Sequence, residues 1–173
     1  MEQHIAVDLI RKAVSGTGSQ RWADLGSGSG VFTKAIGSLL RAGSTIYAVD
    51  TNKSALGSIS PVPGIYVEKI IGDFTDENTI PPSLDGIVLA NSIHYVADKN
   101  RFLRVLIKKL NKPGRIIIVE YDMDRSNPWV PYPLSFMSLE KIINSLGLTA
   151  PEKIGQVPSQ LNASDIYSAV IFK

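Results

Sequence analysis

Short apolar runs of strand length alternate with segments of helical period from Arg21 almost to the end of the chain, and this rhythm restricts the fold more than any single residue does. Arg21–Leu25, Thr45–Val49, Val67–Ile71, Asp85–Ala90 and Arg115–Glu120 read as five strands. Ile5–Val14, Val31–Arg41, Asn100–Leu110 and Ser138–Leu146 read as helices, with a short one starting near Asn52 and finishing before Pro61. Pro113-Gly114 reads as a turn, and the run after it is apolar without alternation, as expected of a strand covered on both faces. Five βα units in a row imply a parallel sheet between two layers of helices, an αβα sandwich. Two further strands, Glu152–Val157 and Tyr167–Phe172, are separated by a polar stretch too short for a crossover helix and should pair antiparallel. The expected fold is an α/β doubly wound sheet, mostly parallel with an antiparallel C-terminal strand. With 173 residues and no linker or repeat, a single domain over 1–173 follows.

The absence of cysteine excludes disulfides, thiolate metal sites and a cysteine nucleophile. No metal-binding cluster is visible. The net charge of +2 is small, and Lys and Arg are dispersed. Even the helix bearing Arg101, Arg104, Lys108 and Lys109 reads as a solvated face, which argues against a nucleic-acid partner. The N-terminus lacks a secretory pattern, and apolar runs such as Ile116–Val119 fall far short of the ~20 residues of a membrane span. These features imply a cytoplasmic protein. Nothing in them indicates an oligomeric state.

Ligands of doubly wound sheets sit at the carboxyl ends of the strands, and the informative residues cluster there. The first strand runs through Asp24 into Gly26-Ser27-Gly28-Ser29-Gly30, a turn whose glycines let the backbone approach a ligand. Asp50 closes the second strand 20 residues after Gly30, where a carboxylate can accept from ribose hydroxyls. The alternative for Asp50 is a cap on the helix that follows. The dinucleotide fingerprint G-x-G-x-x-G fails in both registers, since its third glycine would be Val31 or Thr33. The P-loop is excluded because no Gly-Lys-Ser/Thr follows.

Ala23-Asp24-Leu25-Gly26-Ser27-Gly28-Ser29-Gly30 resembles motif I of the class I S-adenosylmethionine-dependent methyltransferases. Val49-Asp50, Gly72-Asp73-Phe74, Asp85–Ser92 and Leu110–Arg115 resemble, in order, four further motifs of that family. The resemblance implies a Rossmann-like fold, S-adenosyl-L-methionine as cofactor and S-adenosyl-L-homocysteine as product. It also implies roles for individual residues. The methionine amino group would meet carbonyls of Gly26 and of Ala90 or Asn91, with Asp24 supplying charge nearby. The carboxylate would meet N–H groups around Gly28, flanked by Ser27 and Ser29. Asp50, beside Thr51, would take the ribose hydroxyls. Asp73 would accept from the adenine amino group with Phe74 on the ring, although Asp73 also suits a plain turn.

A sulfonium methyl is already electrophilic, so positioning can carry much of the reaction. If a base is needed, His94 is the candidate, four residues past the fourth strand; it could instead bond the backbone and shape its loop. Tyr95 could form an active-site wall or belong to the core. Tyr121, Trp129 and Tyr132, in the segment after the fifth strand, suit the wall of a small organic acceptor or the anchoring of a Pro-rich loop. Ala90-Asn91-Ser92-Ile93 departs from Asn/Asp-Pro-Pro-Tyr, which argues against adenine or glutamine amide nitrogens as acceptors. The sequence thus favours methyl transfer to a small molecule on oxygen, nitrogen or carbon. An RNA or protein methyltransferase and a non-catalytic cofactor-binding scaffold are the alternatives.

Overall fold

In the computed structural model, which describes residues 1–159 and 164–173, the apolar runs assemble into one seven-stranded sheet. The strands are β1 (Arg21–Leu25), β2 (Thr45–Asp50), β3 (Tyr66–Ile71), β4 (Leu84–Ala90), β5 (Leu110–Tyr121), β6 (Glu152–Pro158) and β7 (Asp165–Phe172). Their spatial order is β3-β2-β1-β4-β5-β7-β6. Strands β1 to β5 pair in parallel, and β7 runs antiparallel to both β5 and β6. The order reverses between β1 and β4, which opens a crevice above their carboxyl ends. This is the Rossmann-like sheet expected from the sequence.

Alternation along each strand sends side chains to two separate cores. Trp22, Ile46, Val88, Ile117 and Val119 face α1 (Gln3–Ile10) and α2 (Val31–Leu39). Ala48 on the same side packs with Leu56 of α3 (Lys53–Gly57). Ala23, Leu25, Ile87, Leu89, Ile116 and Ile118 face the opposite way, toward α4 (Lys99–Lys109) and α5 (Phe136–Ser145). Asp98 caps α4 by accepting from Arg101 N at 2.9 Å, and Lys108 and Lys109 lie in its last turn, where cations offset the helix dipole. Ser135 caps α5 in the same way through Ser138 N. Among the described residues no helix is long and apolar enough to cross a membrane.

The regular run of βα units fails once. Between β3 and β4 the chain makes only a single 3-10 turn, Glu77–Thr79, opened by Asp76 accepting from Asn78 N. Pro81 and Pro82 forbid a longer helix there, and Phe74 and Ile80 enter the α4 core in its stead. A second departure concerns Pro113-Gly114, which forms an irregular start of β5 instead of a turn before it. Leu84 pairs with Leu110 but Gly86 pairs with Arg115, so Asn111–Gly114 bulge out of the ladder. The N-terminal helix also stops at Ile10, while Ala13 and Val14, expected within it, remain buried beyond a turn.

Gly86 has a role that the sequence left unexplained. It pairs with Trp22, whose ring is fully buried, and a Cβ on Gly86 would sit 2.5 Å from that ring. Gly86→Ala should therefore destabilise the domain by about 1–3 kcal/mol, a fall of roughly 3–10 °C in Tm. Thermal unfolding followed by circular dichroism checks this, and an unchanged Tm would show that the Trp22 pocket can relax.

Candidate functional site

The crevice at the switch point is a cleft of about 440 Å³. Its wall carries Gly26, Asp50 and Thr51 from the ends of β1 and β2, Asp73, Phe74 and Thr75 from the loop after β3, and Asn91, Ser92 and Tyr95 after β4. The first three strand ends and β4 thus converge as the sequence required.

The glycine turn is wired to β2 through its own N–H groups. Gly26 N and Ser27 N both donate to Val49 O at 2.9 and 3.0 Å, and Gly28 N donates to Asp50 Oδ2 at 2.8 Å. Asp50 Oδ1 accepts from Asn52 N at 2.8 Å, and Asn52, not Asp50, caps α3. The Gly28 N–H expected to meet a ligand carboxylate is therefore already committed to Asp50. Two positions need glycine for different reasons. Gly26, at φ 78°, would place a Cβ 2.6 Å from Ser92 Cβ, whereas a Cβ at Gly28, at φ 51°, would project into open space. Ser92 closes the base of the cleft by donating from Oγ to Leu25 O at 2.7 Å, which ties β4 to β1. It and Thr75 are wall residues that sequence reasoning missed. The only signal for Ser92 was a small residue opposite a glycine bend.

Asp24 is not on the wall. It lies under the turn, 1% exposed, accepting from Thr33 Oγ1 at 2.6 Å and from the Thr33 backbone. Gly30, in the left-handed conformation, has no side chain to cap α2, and Asp24 caps it from β1 instead. Burial pushes the Asp24 carboxyl up from its ordinary 3.8 to about 6 against the pull of the Thr33 hydrogen bonds; Asp50 adds a smaller push.

Asn91 is held at φ 50°, strained for a residue with a side chain, and its Oδ1 is buried without a partner, as is Ser27 Oγ. Ala90 stands just below, as the last residue of β4. Asp73 is exposed and forms a local turn by accepting from Thr75 N at 2.8 Å; Phe74 is buried, with its ring 3.3 Å from the Cβ position of Gly26. Both the turn and the binding reading of Asp73 fit this geometry.

His94 lies outside the wall. Its Nδ1 is 2.8 Å from Glu120 Oε2, with side-chain exposures of 4% and 0%, and its ring stacks 4.4 Å from that of Tyr95. Tyr95 is the exposed member of that pair and does reach the cleft. The three aromatics of the acceptor expectation do not converge there. Tyr121 packs 6.4 Å from His94, Tyr132 borders a more open hollow of about 580 Å³ beside Lys99, and Trp129 is 81% exposed. Trp129 therefore does not anchor its loop. Among the described residues no group of three or more His, Cys, Asp or Glu side chains could hold a metal ion.

Residues 23–118 match a family model described as a methyltransferase domain. The chain belongs to that family. This methyltransferase is similar to solved structures across nearly its whole length. One is an S-adenosylmethionine-dependent methyltransferase from Leishmania major, at 22% identity and a TM-score of 0.72, covering 96% of this chain and 73% of that one. Another is the magnesium protoporphyrin IX methyltransferase of Synechocystis PCC 6803, at 15% identity and a TM-score of 0.71, covering 98% and 79%. A third is an arsenic(III) S-adenosylmethionine methyltransferase from Chlamydomonas reinhardtii, at 17% identity and a TM-score of 0.68, covering 96% and 72%. No curated protein matches the sequence.

The Asp24 carboxyl makes the methyltransferase's stability depend on pH in an uncommon direction. Its pKa is raised on folding, so the folded state holds the proton more tightly, and ionisation is a penalty present above about pH 6 and absent below about 4. The shift corresponds to about 3 kcal/mol. Asp24→Asn should remove this dependence. Urea unfolding at about pH 4 and pH 8 should show the variant gaining on the wild type as pH rises. Identical pH profiles would mean that the carboxyl is not insulated from water.

Proposed function

We propose that this methyltransferase binds S-adenosyl-L-methionine in the cleft and passes its methyl group to a small organic acceptor, releasing S-adenosyl-L-homocysteine. The observation that carries the reading is unbalanced charge. Asp50 and Asp73 line the cleft, Asp24 is buried beneath its glycine turn, and none of the ion pairs among the described residues engages any of the three. Three carboxylates without a cation suit a ligand bearing a sulfonium and an ammonium group. They oppose the pyrophosphate of a dinucleotide. The glycine turn points the same way, because the N–H groups of Gly26, Ser27 and Gly28 are spent on Val49 and Asp50 and cannot cradle phosphate.

The residues present fit such a ligand. The open space at Gly28 admits a chain close to the backbone, and the buried, unpartnered Asn91 Oδ1 offers an acceptor for an ammonium proton. Asp50 uses one lone pair on each oxygen for the backbone and retains others for ribose hydroxyls. Asp73 and Phe74, both on the cleft wall, are available to an adenine edge and face. When bound, the cofactor supplies an activated methyl group; the protein orients the acceptor and excludes water. A small acceptor is favoured over a polyanion because α4 starts beside the cleft and ends at the start of β5. Lys108 and Lys109 therefore lie at the far end of the sheet.

S-adenosylhomocysteine at about a hundredfold excess over its Kd should stabilise the protein by about 2.7 kcal/mol, raising Tm by roughly 5–10 °C. NAD should leave Tm unchanged; stabilisation by NAD alone would overturn the assignment. Asp50→Ala should abolish most of the S-adenosylhomocysteine shift while the apo protein still unfolds cooperatively. Unchanged affinity would remove Asp50 from the site.

A further inference from the structure

Only two aromatic rings interrupt the polar wall of the cleft, Phe74 and Tyr95. They differ in what they leave free. Phe74 is 9% exposed and leans on Phe102, with ring centroids 5.9 Å apart, so its surface is largely spent on the α4 core. Tyr95 is 59% exposed and, among the described residues, is the one large hydrophobic side chain on the wall that stands in solvent. The ring is firmly mounted. One side of it rests against the buried His94 ring, 4.4 Å away and inclined at 55°. The backbone of the turn Ile93–Tyr95 is fixed along its length: Tyr95 N donates to Ser92 O at 3.1 Å, Tyr132 N donates to His94 O at 3.0 Å, and Lys99 Nζ donates to Val96 O at 2.8 Å. A ring held in this way loses little freedom when a ligand covers it, which favours binding there.

We infer that the free face of Tyr95 is the platform on which the acceptor lies, and that the acceptor is a flat aromatic or heteroaromatic molecule stacked on that ring beside the cofactor. The inference rests on the methyl-transfer reading above. The turn that carries Tyr95 follows directly on Asn91, whose unpartnered Oδ1 suits the ammonium end of the cofactor, whereas Asp73 and Phe74 come from the loop after β3. Tyr95 therefore belongs with the reacting end of the cofactor and not with its base. An aromatic face attracts a second one by offset stacking, beyond what the covered apolar area contributes. A saturated ring of the same size covers similar area and lacks that attraction. The polar remainder of the wall offers an aliphatic chain no comparable surface. Tyr95 acts here as a specificity-determining residue, supplying area and orientation through its ring, and its hydroxyl is not required.

The test is a calorimetric titration of the full chain, saturated with S-adenosylhomocysteine, with 2-naphthol and with decahydro-2-naphthol, its saturated counterpart. The wild type should bind 2-naphthol about three- to tenfold more tightly than the saturated alcohol. Tyr95→Phe should keep that preference. Tyr95→Leu, at a position exposed enough to leave the fold intact, should abolish it. S-adenosylhomocysteine affinity should stay within about threefold in both variants, because the ring is assigned to the acceptor. If S-adenosylhomocysteine does not bind the wild type, the methyl-transfer reading fails and this inference with it. Three outcomes overturn the platform alone while that reading stands: S-adenosylhomocysteine binds but 2-naphthol does not, the wild type holds both alcohols equally, or the preference survives Tyr95→Leu. A loss of S-adenosylhomocysteine affinity of about tenfold or more in Tyr95→Leu would place the ring on the cofactor and overturn it as well.

Discussion

A carboxylate buried without a cation is the constraint on which the upper edge of this sheet depends. Asp24 must be satisfied by hydrogen bonds alone, and Thr33 supplies them from the first turn of α2. That contact fixes where α2 begins, and it lets the residue before α2 be Gly30, bent into a conformation that a capping side chain would resist. The glycine turn is held from its other side by Asp50, so two negative side chains grip one loop from beneath and beside. The charge of Asp50 adds a small push to the raised pKa of Asp24. Once Asp24 ionises, above about pH 6, the fold is less stable than its packing alone would allow.

Most of the architecture was legible because strands and helices leave periodic traces. The central strands read correctly since double coverage demands uninterrupted apolar runs such as Ile116–Val119. The connection from β3 to β4 was not legible in the same way. Its work is done by Phe74 and Ile80, two isolated apolar residues in a polar loop, and two residues make no period. The bulge at the start of β5 escaped notice for the opposite reason. Pro113-Gly114 is a strong local turn signal, but Leu110 is paired with Leu84 before it and Arg115 with Gly86 after it, so the long-range ladder decided the outcome.

The site divides along a similar line. Gly26, Asp50, Thr51, Asp73, Phe74 and Asn91 were found because their place at strand ends follows directly from chain order. Asp24 and His94 were found as residues, but their side chains turn inward to Thr33 and Glu120, and only tertiary packing brings those partners together. Ser92 and Thr75 carry no distinctive chemistry and became visible only as surfaces. The aromatics after β5 were grouped by composition, and the fold separates them: Tyr121 beside the His94 ring, Tyr132 on a neighbouring hollow, Trp129 in solvent.

The peptide of Tyr132 is gripped at both ends, its N–H by His94 O at 3.0 Å and its carbonyl by Lys99 Nζ at 2.7 Å, with the Lys99 ammonium also held on Val96 O. The segment between β5 and α5 is thus riveted to the same turn that carries His94. Evolution commonly retunes an enzyme's choice of partner molecule by rewriting such surface segments. Here that freedom is restricted: residues 124–131 can vary on the solvent side, but a change that shifts Tyr132 drags the His94 backbone with it. Any engineer who grafts a new loop here should carry Tyr132 and Lys99 across as one unit.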